Sequence, residues 1–416
     1  MVYLTTQEQK MLDGEFGEAT QEAMEILVAL AKIYNAKNMT PVSSAQIAGV
    51  SYATIGDAGM EYLKGYARKG AKVKIPAFLN PAGMDLEQWR EMKVPENFAK
   101  KQIEIMNAYV NMGIKPTATC TPYLIGIRPK KGEHVAWSES SAVAFANSVL
   151  GARTNREGGP SALAAAICGI TPNYGLHLDE NRVCSMLVKV EARLEKISDF
   201  GALGYYVGEI AKGKSPAFSG IKKATEDQLK SLGAAMAASG SVALYNVENI
   251  TPEYDVCDDA EKITITEKEL KETKEKLNET KKIELMTFGC PHASLQEIKK
   301  IAEKIKGKKL KDILHRTYLK LFGVADLHSH IRYRAIKKYF QSTDKNVEIG
   351  AGSGLMTFEF AKETGKNILG VIYEKKDLNF ALETLKNSNL KNVSFIQGGL
   401  PHLKLKENYY DQVLLI

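Results

Sequence analysis

The chain has 416 residues, 44% of them hydrophobic and 25% charged, with 56 lysines and arginines set against 49 aspartates and glutamates. That length holds two or three domains with a sizeable core, and the composition is that of an ordinary globular chain. The net charge of +7 comes without a basic stripe interleaved with aromatics, which argues against a nucleic-acid partner and leaves a small anionic substrate compatible.

The longest apolar runs, 26–33 and 161–170, are too short to cross a bilayer. Met1 is followed by polar residues rather than an apolar signal core, so a cytoplasmic protein with no membrane partner is expected. Five widely spaced cysteines, Cys120, Cys168, Cys184, Cys257 and Cys290, include no CxxC pair. An odd count in such a chain argues against a disulfide framework and a zinc ribbon.

In chain order, Ala23, Ile26, Leu27 and Leu30 mark one face of an early amphipathic helix. Residues 71–78, AKVKIPAF, read as a strand running into the turn LNPAG, and TATC at 117–120 as a second strand halted by Pro122. A helix of small residues begins near Ser161 behind the breakers Gly158, Gly159 and Pro160. Cys168 falls in that Ala-rich helix and Cys184 follows Arg182 on a helical pattern; both read as small buried hydrophobes. The charged stretch 258–282 reads as a solvated helix leading into a strand at 283–288. A helix follows at 295–305, with Ser294 and Glu297 at capping-box spacing. Alternating strands and helices of this kind make an α/β domain.

The segment 132–166 crowds Glu139, Ser140, Ser141, Asn147, Arg153, Asn155, Arg156 and Glu157 among small apolar residues. Such a mixture suits a closed site for an oxygen-rich substrate, or a buried structural hydrogen-bond network. Cys290 precedes the capped helix, whose dipole favours a thiolate, and Cys120 ends the strand-like TATC. Both would then lie at carboxyl ends of strands, where open α/β sheets place their sites. Two thiolates fall short of the three or four that usually hold an iron–sulfur cluster. The histidines of DLHSH, His328 and His330, read as a helix lead-in rather than a metal motif.

The runs AGVSYATIGDAGMEYL, LNPAGMDLEQW, TCTPYLIGIRPKKGEHVAWSESSAVAFANSVLGARTNREGGPSALAAA, TPNYGLHLDENR and GCPHASLQEI stand in that order within residues 1–311. In them the chain resembles the aconitase X family. It is most similar to the branch that dehydrates phosphomevalonate to trans-anhydromevalonate 5-phosphate in the archaeal-type mevalonate pathway. The alternative is the cis-3-hydroxyproline-type branch, which usually joins large and small modules in one chain.

The resemblance implies an aconitase-like layered α/β domain and a hydro-lyase reaction at a 4Fe-4S cluster. It implies Cys120 and Cys290 as cluster ligands, the third having no counterpart in this sequence. It also implies Gly49, Val50, Ser51, Asn80, Pro81, Glu139 and Ser140 as substrate contacts. A separate small subunit, the heterodimeric partner, is implied to supply the catalytic base, a serine, so no catalytic residue is assigned in this chain. Gln46 stands where the family pattern leads one to expect a histidine.

Character changes near Asp312, and a domain boundary is expected between Lys308 and Leu314, giving domains 1–311 and 312–416. VEIGAGSG at 347–354 fits a strand and glycine loop, and Glu374 stands 20 residues after Gly354, a spacing suited to binding ribose hydroxyls. From about Ile313 the chain resembles the amino-terminal part of a class I S-adenosylmethionine-dependent methyltransferase, an incomplete Rossmann-like doubly wound sheet. The resemblance implies Glu348, Gly350, Gly352, Gly354 and Glu374 as cofactor contacts. QGGLP at 397–401 lacks the acidic residue that often follows this strand, and the last strand-like run, 412–416, coincides with the end of the chain. The readings from other classes are therefore a methyltransferase fragment or an inactive chimera.

Overall fold

A computed structural model describes residues 2–90, 92–278, 289, 291–305, 345–349, 355–372, 375–388, 390–398 and 412–415. The chain divides into two compact units, Met1–Leu86 with Pro95–Lys306, and Glu87–Val94 with Gly307–Ile416.

The first unit opens with helices α1 (Thr6–Leu12) and α2 (Glu18–Ile33). The stripe expected of α2 is present: Ala23, Met24, Leu27, Val28 and Ala31 are buried. An antiparallel pair, β1 (Met39–Pro41) and β5 (Ile170–Pro172), flanks a parallel three-stranded sheet. That sheet has the order β3 (Ala77–Leu79), β2 (Ala45–Ile47), β4 (Ala136–Trp137). Helix α3 (Tyr52–Arg68) makes the crossover from β2 to β3, and α4 (Glu96–Asn111) packs on it. Beyond β4 come α5 (Ser140–Ser148) and α6 (Gly159–Cys168). Every residue of α6 from Ser161 to Cys168 is buried, because its small side chains let it pack closely on α2 and β2.

A second parallel sheet orders β8 (Asn246–Val247), β7 (Pro216–Ser219), β6 (Cys184–Val190) and β9 (Val256–Ile265). Helices α7 (Ile197–Ala211) and α8 (Glu226–Gly240) make its crossovers and pack against one another. They bury Phe200, Leu203, Val207, Leu232 and Met236 over β6 and β7. Helices α9 (Glu267–Leu277) and α10 (Leu295–Ile305) follow.

Four expectations are corrected. The strand in 71–78 is confined to its end, β3, since 71–76 is not extended in a ladder. TATC is not a strand: Ala118 sits at φ +47° and breaks it, although Thr119 still donates to the Leu79 carbonyl (3.1 Å). Cys184 begins a strand, not a helix, and the alternating burial along β6 explains why. The charged stretch enters as an edge strand, β9, before it becomes helix α9; charges on an edge discourage further pairing. The expected strand at 283–288, and His328 and His330, lie outside the described residues.

The second unit contains β10 (Lys345–Ile349), α11 (Leu355–Thr364), β11 (Asn367–Ile372), α12 (Lys375–Lys386), β12 (Val393–Gln397) and β13 (Gln412–Leu415). Its described strands are all parallel, in the order β12-β11-β10-β13, a doubly wound arrangement whose order reverses at β10. Phe360, Ile368, Ile372, Ala381 and Phe395 form its own core. Among the described residues no helix is long and apolar enough to cross a membrane.

Candidate active site

The three short strands β3, β2 and β4 run the same way, so the loops after them meet at one edge of the sheet. Backbone and side-chain bonds pin them together. Asn80 donates its N–H to the Ile47 carbonyl (3.0 Å), and Ser138 donates its N–H to the Gln46 carbonyl (3.1 Å). Gln46, fully buried, donates through Nε2 to the Thr119 carbonyl and accepts at Oε1 from the Glu139 N–H, both at 3.3 Å. Gly49–Val50–Ser51, Asn80–Pro81, Glu139–Ser140 and the Thr119–Cys120 turn are thereby brought to one place. Nothing local in the sequence points to Gln46 at this junction, because its partners lie 73 and 93 residues away.

Gly49 has φ +76°, a conformation that favours glycine, and it turns the chain from β2 toward α3. Ser51 caps α3, its hydroxyl accepting from the Ala53 N–H (3.3 Å), while the Tyr52 N–H is taken by Gln102 Oε1 (2.9 Å). The first two amides of α3 are thus occupied. The amides of Gly49, Val50 and Ser51 find no acceptor among the described residues. Asn80 Oδ1 is buried and has no hydrogen-bond partner among the described residues. Glu139 caps α5: its Oε2 accepts from the Ala142 N–H (2.7 Å) and the Ser141 hydroxyl (2.6 Å), and the Ser140 hydroxyl lies 3.4 Å from Oε1. The Tyr123 hydroxyl is buried without a partner among the described residues, its ring stacked 3.7 Å from Phe145, and burial pushes its pKa well above the ordinary phenol range.

Cys120 is buried, and its thiol accepts from the His292 N–H at 3.1 Å. Burial holds the His292 imidazole below its usual pKa. Lys230, buried on α8, donates to the His292 carbonyl (3.1 Å) and pairs with Glu297. The expected capping box is present, with Ser294 N–H to Glu297 Oε2 at 2.7 Å and Glu297 N–H to Ser294 Oγ at 3.2 Å. Helices α8 and α10 therefore hold the segment after Cys290 against Cys120; Cys290 itself lies outside the described residues. Cys168 and Cys184, as expected, are buried thiols, each pushed up to about 12 by desolvation and unsuited to metal ligation.

Among the described residues no three histidine, cysteine or carboxylate side chains assemble to hold a metal. Of the thiols expected at a cluster only Cys120 is described, and one thiol does not make a cluster-binding set.

The polar segment 132–166 divides in two. Its first half, at Glu139 and Ser140, lines the strand-end site. Its second half is a structural network. Asn147 bonds the Thr154 N–H and carbonyl and the Ala243 carbonyl. Arg182 donates to Asn147 and pairs with Glu253 at 2.8 Å, and Glu253 also pairs with Arg153. Glu157, fully enclosed and pushed up by burial, accepts from Ser161 (2.5 Å) and Thr171 (3.0 Å). Arg156 is exposed. Beside this network lies a histidine pair that sequence reasoning missed, His134 and His177, with Nδ1 atoms 2.9 Å apart and rings stacked. Nothing in the sequence pairs two histidines 43 residues apart.

In the second unit, Glu348 lies on β10; its side chain, and Gly350, Gly352, Gly354 and Glu374, lie outside the described residues.

Loops at the carboxyl ends of parallel strands, carrying unclaimed amides and an unpartnered buried acceptor, have the arrangement in which α/β enzymes bind polar substrates. Residues 1–180 match the aconitase X first domain, 184–275 the aconitase X second domain, and 341–416 a methyltransferase domain. The phosphomevalonate dehydratase large subunit of Methanocaldococcus jannaschii is 54% identical over 323 residues, covering 74% of this chain and 80% of its own length. That of Methanothermobacter thermautotrophicus is 56% identical, covering 74% of this chain and 78% of its own. The cis-3-hydroxy-L-proline dehydratase of Pseudomonas aeruginosa is 34% identical over 73% of this chain and 54% of its own length. The crystal structure of Thermococcus kodakaraensis aconitase X (holo-form) superposes with a TM-score of 0.68 at 40% identity, covering 100% of this chain and 92% of that one. The chain belongs to the aconitase X family, whose relatives here are dehydratases.

Proposed function

We propose that the first unit is the large subunit of a two-subunit hydro-lyase that removes water from (R)-5-phosphomevalonate to give trans-anhydromevalonate 5-phosphate. The observation that carries this reading is the convergence of Gly49–Val50–Ser51, Asn80–Pro81 and Glu139–Ser140 beside Cys120. The choice of substrate rests on the relatives: phosphomevalonate dehydratase large subunits from four archaea are 51–56% identical, against 34% and 33% for two cis-3-hydroxy-L-proline dehydratases. Cis-3-hydroxyproline dehydration is the alternative.

In this reading the amides of Gly49, Val50 and Ser51 receive an anionic group of the substrate, and Asn80 Oδ1 accepts from a substrate hydroxyl. The Ser140 hydroxyl donates to Glu139 Oε1, which orients it and leaves its oxygen as a preset acceptor. Elimination breaks one C–O and one C–H bond and forms a C=C bond and water. The base belongs to the small subunit, and this chain supplies binding and orientation. The family's 4Fe-4S cluster, with Cys120 and Cys290 as its ligands from this chain, belongs to the same reading.

The test is anaerobic reconstitution of the full chain with iron, sulfide and an archaeal small subunit, followed by mass spectrometry of each substrate. Loss of one water from phosphomevalonate supports the reading. Loss from cis-3-hydroxy-L-proline alone overturns the substrate, and no dehydration with no bound iron overturns the activity.

A second reading concerns residues 341–416. Their parallel order with a reversal at β10 favours a nucleotide-type cofactor, proposed as S-adenosylmethionine held by Glu348, Gly350, Gly352, Gly354 and Glu374. Calorimetry on the full chain tests it: binding abolished by Gly352→Val supports the assignment, and no heat from the wild-type chain removes it. Failure of both assays would make the chain an inactive chimera.

A further inference from the structure

Helix α4 carries no residue that the readings above assign, yet it presents a glutamine to the core. Gln102 is fully buried, on the same face as Ile105 and Tyr109. Its carboxamide meets three backbone groups from the two loops beside it. Oε1 accepts from the Tyr52 N–H at 2.9 Å and from the Gly83 N–H at 3.2 Å, and Nε2 donates to the Val50 carbonyl at 2.8 Å. One side chain thus ties the loop after β2 to the loop after β3. Seven residues on, the Tyr109 hydroxyl donates to the Gly49 carbonyl at 3.4 Å, a longer contact on the same helix face.

The consequence follows from peptide planarity. In a trans peptide the C=O and the next residue's N–H point in opposite directions. With the Val50 carbonyl drawn toward α4 by Gln102, the Ser51 N–H points away from α4. With the Gly49 carbonyl held by Tyr109, the Val50 N–H does the same. These are the amides that find no acceptor among the described residues, whereas the Tyr52 amide, on the α4 side, is consumed by Gln102 itself.

We infer that Gln102 is a positioning residue of the substrate's anion site. By holding the 50–51 peptide plane it aims the Ser51 amide at a carboxylate or phosphate, and Tyr109, through the 49–50 plane, gives the Val50 amide a weaker hold beside it. The inference rests on the substrate-binding role proposed for Gly49, Val50 and Ser51. A glutamine is suited to the place because it alone among residues of its size offers two acceptor lone pairs and a donor without charge. A glutamate would keep the bonds from Tyr52 and Gly83 and turn an oxygen toward the Val50 carbonyl.

The experiment measures Kd by calorimetry on the full chain paired with a small subunit, first for (R)-5-phosphomevalonate and cis-3-hydroxy-L-proline with the wild type. The accepted ligand is then titrated into Gln102→Met, which keeps the volume and removes all three bonds. Kd is expected to rise roughly tenfold or more, the loss of well-aimed amides to an anion. A Kd within about twofold of wild type, even with a lowered melting temperature, would show a structural role only and overturn the inference. If Gln102→Met does not fold, Tyr109→Phe decides by the same measurement, with a rise of roughly threefold expected for one long bond and no change overturning it. If the wild type takes neither substrate, the substrate reading fails while the anion site is still read with inorganic phosphate. Phosphate binding weakened by Gln102→Met supports the inference, and its absence from the wild type refutes it.

Discussion

The segment 132–166 looks uniform in composition, yet its two halves behave differently. At its carboxyl half, Asn147, Arg153, Thr154, Asn155 and Glu157 meet their partners within the chain. At the strand-end site that Glu139 and Ser140 border, a buried carbonyl oxygen of Asn80 and consecutive backbone amides are left over. Buried polar groups are ordinarily satisfied, so the leftover ones at this strand end are open to a ligand. Polarity among small residues therefore does not mark a binding site. Unsatisfied polarity alone does not mark a site either, since among the described residues Tyr66, Asn173, His177 and Asn246 also keep a buried polar atom without a partner; what sets the strand end apart is that its leftover groups lie together on converging loops.

The closed network should be the costlier of the two to disturb. Arg182→Met removes the cation that joins Asn147 to Glu253 and leaves the half-buried Glu253 with Arg153 alone. An unfolding free energy lower by about 3 kcal/mol is expected, in the range for breaking a buried pair from one side. Chemical denaturation measures it, and substrate affinity of the folded variant should stay at the wild-type value. A loss below about 1 kcal/mol would mean that the network is a solvated surface feature.

The histidine pair beside this network sharpens the contrast through pH. Burial pushes His177 down to about 3, with His134, Arg182 and Arg153 acting in the same direction. The folded state then holds fewer protons than the unfolded chain between that value and the ordinary histidine value near 6.5. Stability is full above pH 6.5 and falls as the pH drops, by about 2 kcal/mol at pH 5. Glu157, pushed up by burial, slopes the other way. The diagnostic is therefore the difference between wild type and His177→Phe, which keeps a stacked ring and should flatten the descent. Equal melting-temperature curves from pH 8 to pH 5 would place His177 in water.

A smaller effect is expected at the cap of α10. Ser294→Ala loses the bond to the Glu297 N–H and the donation to Asp227 Oδ2 (2.9 Å), and should cost about 1 kcal/mol. Thermal melting reads it. This cap was legible because it is local: both partners sit three residues apart ahead of a periodic helix. The same holds for α2, for α6, which starts two residues earlier than expected, at Gly159 behind Gly158, and for strand β10 and helix α11 of the second unit. What was not legible is non-local or too short. Strands β2 and β3 have three residues each, too few for an alternation to register. Thr117–Cys120 has the strand formers but is broken by a left-handed Ala118. Gln46 and Gln102 acquire their roles from partners dozens of residues away. The one available signal was a glutamine on the buried stripe Ala99, Gln102, Ile105, Met106, Tyr109, where an amide needs a reason to be.

Asn80 offers the mildest change in stability and the clearest reversal of sign. Its Oδ1 is buried without a partner among the described residues, so the folded state already bears the desolvation cost of that oxygen. Replacing Asn80 with leucine, close to it in volume, removes the cost and adds apolar surface. Asn80→Leu should be neutral or more stable by up to about 1 kcal/mol, the opposite of what a satisfied buried asparagine shows. Substrate affinity should move the other way, with KM raised roughly tenfold for loss of one acceptor to a substrate hydroxyl. Both measurements come from one protein preparation. A variant destabilised by more than about 1 kcal/mol with KM unchanged would assign Asn80 to the closed network instead, and the boundary between the two kinds of polar surface would then have to be redrawn around the loop after β3.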